Sequence, residues 1–554
     1  MRIAAEQKRK LNETLAHMER VRAPWWHAWR EISDFFLPRR YPWLLTDKET
    51  RSASIRNRQL LDSTSITALR TLATGMMNGI TSPARPWFRL RIEGFDVEEA
   101  PHDTKVWLEE AGQRMLTIMA ESNFYNSLGI LYLEWCAFGT ASMSIYEDFE
   151  DVIRCHNHAI GEFYIDTDED GRVTRHARKF MRTAEQTVAM FGEDNVSPTV
   201  LADVKAGDVR RFNPVQIYHL IEKNEPPIEG VRRSAAWRES YWEAGKDLDR
   251  VLRVGPLDEP PNISVRWETY GTDVYGSSPC MDALPDVRQL QQMIKQRAKG
   301  LDKMVDPPML INKKLASQPK SMLPGGHTYV AGQDLQSGAR PAYQINIPFQ
   351  ELNMDIAACQ ARIRQVLFND LFRMISELET VRSATEIDAR REEKLILLGP
   401  VLERFESEGL SPCIERIFNI CLRAGLFPPA PPDLAEAEIK IQYVSIMADA
   451  QRAVGTVSIE RYLQLLGNMA GIFPESLDVP NPEEIIREYA ESIGVKTKLQ
   501  RSRAEVAEVR AARQEQEQIS QAAEQGQALI GGAQQLSQTD MGGGQNALSA
   551  LLGG

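Results

Sequence analysis

The chain has 554 residues, of which 43% are hydrophobic and 26% charged, and a formal net charge of −12. That length suits about two to four modules with their own cores, and no apolar run approaches the ~18–20 residues a membrane span needs. The acidic balance argues against a protein that wraps DNA in a basic groove, although acidity alone serves solubility equally well.

The first 22 residues are charged throughout and have no apolar centre of the signal-peptide kind. Residues 5–36 read as a helix whose end carries Trp25, Trp26, Trp29, Phe35 and Phe36. Such a cluster is expected in a core rather than as a platform for stacked bases. A second helix is expected over 62–82, and one or two more over 104–145. From about 150 to 270 the pattern changes to short extended runs: Phe163 to Ile165, Val173 to Phe180, Gln216 to Ile221, Tyr241 to Glu243, Val251 to Val254 and Ile263 to Tyr270. Asp170-Gly171 marks a hairpin turn.

Two segments with a coiled-coil-like period follow. Leu284, Val287, Ile294, Ala298, Leu301 and Val305 alternate three-and-four spacing, with Gln291 as the polar exception. Leu352, Ile356, Cys359, Ile363 and Val366 repeat it without interruption. This period gives a narrow apolar seam, suited to shallow packing against like helices. At ~1.5 Å per residue each helix spans roughly 30–40 Å. Their other faces carry Arg288, Lys295, Arg297, Lys299 and Lys303 in the first, Arg362 and Arg364 in the second. Between them, Pro307-Pro308 ends the first helix. Gly325-Gly326 and the prolines at 324 and 341 link short extended pieces. Lys313, Lys314 and Lys320 make this insert locally basic, so it reads as a small mixed module at the far end of an antiparallel helix pair. Phe372 to Arg382 alternates charge without a clean period, as a loop or fraying helix does.

Ser383 and Glu386 stand at capping-box spacing. Apolar residues recur at Ile387, Leu395, Leu398, Val401, Leu402 and Phe405, and again at Ile414, Ile417 and Cys421. Gly399-Pro400 interrupts this helix, and a proline there costs ~3 kcal/mol or more, so the sequence predicts a bent strut with a second break at Pro412. Two ordinary core helices joined by a turn explain the stretch equally well. Residues 433–500 suggest a helical module. The tail from about 501 turns rich in Gln, Ala and Glu, as in a polar helix, and then in Gly and Ser, a composition expected to be disordered.

Several local patterns point to chemistry and do not complete it. Asp166, Asp168, Asp170 and Gly171 open like a calcium loop, but Ala177 stands where the bidentate Glu is needed. Cys155, His156 and His158 lack a second cluster to close a zinc site. There is no phosphate-binding G-x-x-x-x-G-K-[ST] loop, G-x-S-x-G elbow or H-E-x-x-H pair. No catalytic residue, metal or cofactor is therefore expected. The six cysteines at 136, 155, 280, 359, 413 and 421 show no paired spacing and suit reduced, buried thiols.

The order helix, distal insert, helix, loop, long kinked helix resembles the portal protein, or head-to-tail connector, of short-tailed bacteriophages of the podovirus type. Further stretches carry the likeness: Gly79-Ile80-Thr81-Ser82-Pro83, Arg85-Pro86-Trp87-Phe88, Ser122-Asn123-Phe124-Tyr125, Phe138-Gly139-Thr140-Ala141 and Tyr275-Gly276, then Pro279. Asp282-Ala283-Leu284-Pro285, Ala384-Thr385-Glu386-Ile387 and Leu398-Gly399-Pro400-Val401 complete it. Each is weak alone, and their joint order over nearly the whole chain makes the match specific.

The resemblance implies an α+β, predominantly helical portal fold that assembles as a homododecameric ring around a DNA channel. It divides the chain into a wing (1–280), stem helices (281–304 and 347–371), a clip (305–346), a tunnel loop (372–383), a kinked wing helix (384–430), a crown (431–500) and a C-terminal tail (501–554). In that scheme Arg373, Glu377, Glu379 and Arg382 form charged rings around a passing duplex, and Arg288, Lys295, Lys299 and Lys303 line the stem or meet neighbouring carboxylates. Lys313, Lys314 and Lys320 dock partners, a role for which a solvated loop face is the equal alternative. Gly399 and Pro400 supply a structural kink. Implied partners are double-stranded DNA, the large terminase, the tail adaptor, the major capsid protein, the scaffolding protein and internal ejection proteins, with no membrane. The implied location is the capsid portal vertex of the virion, after synthesis in the host cytoplasm. Two other classes compete: an internal scaffold or virion protein without a channel, and a DNA-processing enzyme subunit.

Overall fold

The computed structural model describes residues 2–40, 60–92, 102–227, 231–244, 251–305, 309–310, 340–341, 348–372, 398–432, 439–443, 462–469, 480–492, 501, 505–516 and 518–519. The chain divides into two compact units, one made of residues 1–90, 111–428 and 441–453, the other of 91–110, 429–440 and 454–554.

In the first unit, helix α1 (Arg2–Phe35) buries Leu11, Leu15, Met18, Trp29 and Ile32 along one side. Of the aromatic cluster at its end, Trp29 and Phe36 are buried in the core, while Trp25, Trp26 and Phe35 are half-buried at its edge. Trp29 meets Tyr275 edge-on at 5.2 Å between ring centroids and donates its indole N–H to the Phe138 carbonyl at 3.2 Å. Helix α2 (Thr64–Ile80) packs on α4 (Phe124–Phe138), which follows α3 (His102–Glu121).

The helical reading of 104–145 fails at its last part. Gly139 adopts φ +72° and caps α4, and a Cβ there would sit 2.3 Å from the Gly276 carbonyl oxygen. Only glycine takes this conformation at no steric cost. Beyond it the chain enters a strand, Thr140–Asp148, in which Ala141, Met143 and Ile145 alternate with Ser142, Ser144 and Tyr146.

Numbering strands in chain order from Phe88–Ile92 as β1, that strand is β2. It pairs antiparallel with β3 (Val152–His158) and β9 (Asn262–Arg266) in a three-stranded sheet. A second sheet is an antiparallel meander of β4 (Phe163–Thr167), β5 (Val173–Thr183), β6 (Pro214–Lys223), β7 (Trp237–Glu243) and β8 (Arg253–Leu257), with the short helices α5 (Ala184–Phe191) and α6 (Pro198–Lys205) between β5 and β6. The expected turn at Asp170-Gly171 joins β4 to β5, with the Gly171 N–H donating to the Asp168 carbonyl at 3.0 Å. The odd-numbered face of the first sheet is apolar and lies under α4 and under α9, the helix Ser411–Arg423. Its even-numbered face is polar and lies against the second sheet.

Ser142, Ser144, His158 and His176 of that polar layer are buried, and Asn262 stands at its edge. Ser144 Oγ lies 2.5 Å from His158 Nε2, Ser142 Oγ lies 2.9 Å from His176 Nε2, and the Asn262 amide lies 2.6 Å from His176 Nδ1. Burial drives both imidazoles well below their ordinary pKa, which keeps them neutral and able to share these bonds. His219 stacks on Tyr241 at 3.9 Å, and burial, opposed by the Glu239 carboxylate at 3.4 Å, lowers it to about 4. Although Ser, His and Asn meet here, the serines and histidines are buried and the layer serves packing. All six cysteines are buried free thiols, and burial pushes Cys155 up to about 12 and Cys421 up to about 11.

The helical module expected after residue 433 also contains a strand, β12 (Ile439–Tyr443). Its sequence, IKIQY, alternates with the strand period. Helices cover 462–469 and Pro482–Ser492. The polar helix expected after 501 is present over 505–516, where Arg510 reaches Glu483 at 2.9 Å.

Candidate functional site

The two heptad segments form the helices α7 (Pro279–Val305) and α8 (Phe349–Val366), packed against each other. They run antiparallel, because Asp286 meets Arg362 at 3.0 Å while Arg297 meets Asn353 at 3.1 Å further along. Strands β10 (Met309–Leu310) and β11 (Arg340–Pro341) pair just beyond their far end. This short pairing joins the chain segments that leave and re-enter the helix pair; the rest of the insert lies outside the described residues.

The apolar seam is covered at one end and bare at the other. Leu284, Val287, Leu290, Ile356, Cys359 and Ile363 are buried. Toward the insert the seam residues Leu301 and Val305 are 52% and 77% exposed, and Met304 beside them is 42% exposed. A seam of one period with two burial states is the physical signature of a surface that one protomer does not complete.

Of the candidate stem cations, Arg288 is paired with Glu31 of α1. Lys295, Lys299 and Lys303 continue along the same face at ~3.6 residues per turn, and all three are exposed. Arg362 is held by Asp286. The candidates Arg373, Glu377, Glu379 and Arg382, and Lys313, Lys314 and Lys320, lie outside the described residues, as does the capping pair Ser383 and Glu386. Gly399 and Pro400 fall inside a helical run over 398–405, Pro400 on its exposed side. The turn that would show a bend there lies outside the described residues.

Pro412 does not break the strut. The helix continues through a π-helical turn, Glu406–Leu410, into α9 without leaving helical backbone angles. Widening the turn lets the chain absorb a residue without an N–H. It also aims Glu408 at the first sheet. Arg266, almost fully buried, donates its backbone N–H and Nε to Glu408 Oε2 at 3.1 Å each and its Nη2 to Oε1 at 2.5 Å. The same guanidinium donates to the Gly171 carbonyl at 2.7 Å. Gly409 touches β9 so closely that a Cβ would sit 2.6 Å from Val265 Cγ1. A bidentate, geometrically demanding pair thus fixes where the strut crosses the sheet.

The polar exception in the seam has a partner. Gln291 is 7% exposed, and its Oε1 accepts the N–H groups of Leu61 at 2.8 Å and Asp62 at 3.1 Å. Its Nε2 donates to the Asp62 carbonyl at 3.0 Å, and Gln360 from α8 donates to Asp62 Oδ2 at 2.9 Å. The two glutamines grip the chain just before α2. Spacing alone signals a polar residue at a seam position; it cannot signal a partner some 230 residues away. Glu134 of α4 is buried against Arg40 at 2.7 Å. Burial outweighs that cation and pushes its carboxyl up to about 7.

Among the described residues no three His, Cys, Asp or Glu side chains form a group that could hold a metal ion. Among the same residues no helix is long and apolar enough to cross a membrane. The arrangement offers assembly surfaces and fixed junctions.

Comparison with known proteins agrees with this geometry. The family model described as "Bacteriophage head to tail connecting protein" matches residues 8–500. The chain is 37% identical over 505 residues to the "Probable portal protein" of Bordetella phage BPP-1, covering 91% of this chain and 90% of that protein. It is 36% identical over 524 residues to the "Portal protein" of Salmonella phage epsilon15, covering 94% of this chain and 93% of that protein.

Proposed function

The chain belongs to the bacteriophage head to tail connecting protein family and functions as a phage portal, and on that premise we propose how its parts share the work. Membership implies an oligomeric ring, a virion component associated with capsid and tail components. The ring is a homododecamer at one capsid vertex, through whose channel double-stranded DNA is packaged and later ejected. Helices α7 and α8 are its stem, and the half-bare seam is the single observation that carries this reading. Neighbouring copies cover Leu301, Met304 and Val305, while Lys295, Lys299 and Lys303 form a cationic stripe toward the DNA or adjacent carboxylates.

An acidic conduit with few cationic rings has a mechanical logic. DNA must slide, and dense phosphate contacts would hold it at every step. Residues 372–383 are the tunnel loop, with Arg373, Glu377, Glu379 and Arg382 as its charged rings. Residues 305–346 are the clip, where Lys313, Lys314 and Lys320 meet the large terminase and then the tail adaptor. Residues 1–280 and 384–430 make the wing, 431–500 the crown that faces the packaged genome, and 501–554 the tail. Capsid, scaffolding and internal ejection proteins contact these outer parts, and synthesis takes place in the host cytoplasm. Neither comparison supports an internal scaffold or a DNA-processing subunit.

The test is electron microscopy of the purified full-length protein with its mass by light scattering. Closed rings with a central hole and about twelve times 62.6 kDa are expected. Monomers that stay open even with capsid and scaffolding protein present would overturn the conduit.

A further inference from the structure

Helix α8 ends in an unusual way. Phe368 adopts φ +54°, a left-handed conformation disfavoured for a bulky residue. The backbone turns there and forms one short helical turn, with the N–H groups of Leu371 and Phe372 both donating to the Phe368 carbonyl at 3.1 and 3.4 Å. Leu367, Asn369, Leu371 and Phe372 are all buried. Such a conformation persists where surrounding contacts over-determine it.

Those contacts come from α2. With the Asn369 amide oriented so that its NH2 faces the two carbonyls beside it, it donates to the Ala68 carbonyl at 2.9 Å and to the Leu367 carbonyl at 3.3 Å. Two helical turns along α2, Phe372 lies directly on Gly75. A Cβ built on Gly75 would sit 2.2 Å from Phe372 Cδ1, 2.3 Å from Cγ and 2.9 Å from Cβ. Because the near atoms include the root of the side chain, rotating the ring alone does not make room. Gly75 is otherwise an expensive choice, since glycine inside a helix is disfavoured against alanine. Its absent side chain is what lets the phenyl ring reach the α2 backbone.

We propose that Gly75 and Phe372, with Asn369, form a socket that fixes the point where the chain leaves the helix pair. Gly75 is then a positioning residue for the channel constriction, although it contacts no DNA. That last step rests on reading 372–383 as the tunnel loop; the socket itself does not. Its logic is geometric: a constriction works only if each copy's loop starts from the same place, and a ring seated on bare backbone has one seat.

The test uses full-length protein carrying Gly75→Ala, with Phe372→Ala as a second variant that removes the ring and introduces no clash. Two measurements are made: hydrogen exchange of the Leu371 and Phe372 amides in assembled rings, and DNA content of heads complemented with each variant. We expect rings to assemble, exchange at both amides to rise at least tenfold, and DNA content to fall. Should Gly75→Ala fail to assemble, Phe372→Ala decides on the same readouts. Exchange unchanged in the assembled variants overturns the socket. Faster exchange with normal DNA content keeps the socket, overturns the positioning role and counts against reading 372–383 as the constriction.

Discussion

Replacing Gln291 with methionine keeps the length and volume of the side chain and deletes its amide. Three backbone groups then lose their partner: the N–H of Leu61, the N–H of Asp62 and the Asp62 carbonyl. An orphaned, partly buried polar group costs ~1–3 kcal/mol, and the lower end of that range applies because the site is near the protein surface. Three such groups give a local loss of ~3 kcal/mol, which at 1.4 kcal/mol per tenfold is about a hundredfold in the local opening equilibrium. Amide exchange at Leu61 and Asp62, read by mass spectrometry on assembled protein, should accelerate by about that factor. Gln291→Glu offers a graded control. Its oxygens still accept both N–H groups, yet it has no donor for the Asp62 carbonyl and places a second carboxylate beside Asp62, so a smaller acceleration is expected. Exchange at both amides within about threefold of the parent in Gln291→Met would refute the latch.

The pair at the π-turn should be less forgiving: Glu408→Ala strands the buried Arg266 guanidinium and should cost ~3–5 kcal/mol, seen as a large drop in the denaturation midpoint. Leu301→Glu with Val305→Glu should abolish rings in sedimentation while leaving the protomer's circular dichroism unchanged, since both side chains are exposed within one copy. Glu134 makes stability fall with alkalinity. Its folded carboxyl titrates at about 7 against an ordinary 4.5, so its favourable neutral form is fully present below 4.5 and lost as pH rises through 7. At ~1.4 kcal/mol per pH unit that is ~3 kcal/mol, and Glu134→Gln should flatten the slope in denaturation curves recorded across this window. Arg373→Glu combined with Arg382→Glu should impair DNA packaging or retention with rings intact; normal DNA filling would remove those residues from the constriction.

Much of this fold is written in local periodicity. The heptad spacing of Leu284, Val287, Ile356, Cys359 and Ile363 places α7 and α8 and their facing sides, because burial on one face must recur with the helical period. The meander β4 to β8 is legible in the short apolar runs between turn residues. The strand Thr140–Asp148 was masked by its neighbour: the apolar run of α4 flows into it, and the only punctuation is Gly139, which inside a helical pattern reads equally well as a tolerated residue. The π-turn after Phe405 is illegible for a different reason. Pro412 announces a break, but whether a helix breaks or widens depends on what waits beside it, here Arg266 and Val265.

The same distinction explains why the candidate site was only half readable. Apolar contacts are non-directional, so the seam of α7 and α8 says which faces meet without saying where along each other they stop. The stops are set by groups that demand one geometry: Gln291 and Gln360 on Asp62, Glu408 on Arg266, and Phe372 on the bare backbone of Gly75. Each joins segments more than 100 residues apart and stands where a long element meets another, and each would tolerate no shift of one residue. A ring channel needs that kind of specification more than it needs extra stability, because a small error in one protomer's stem is repeated in every copy around the axis. The bare end of the seam follows from this division of labour. Directional latches settle the protomer's internal register first, which leaves Leu301, Met304 and Val305 as an apolar strip whose remaining task is to find a partner surface on another copy.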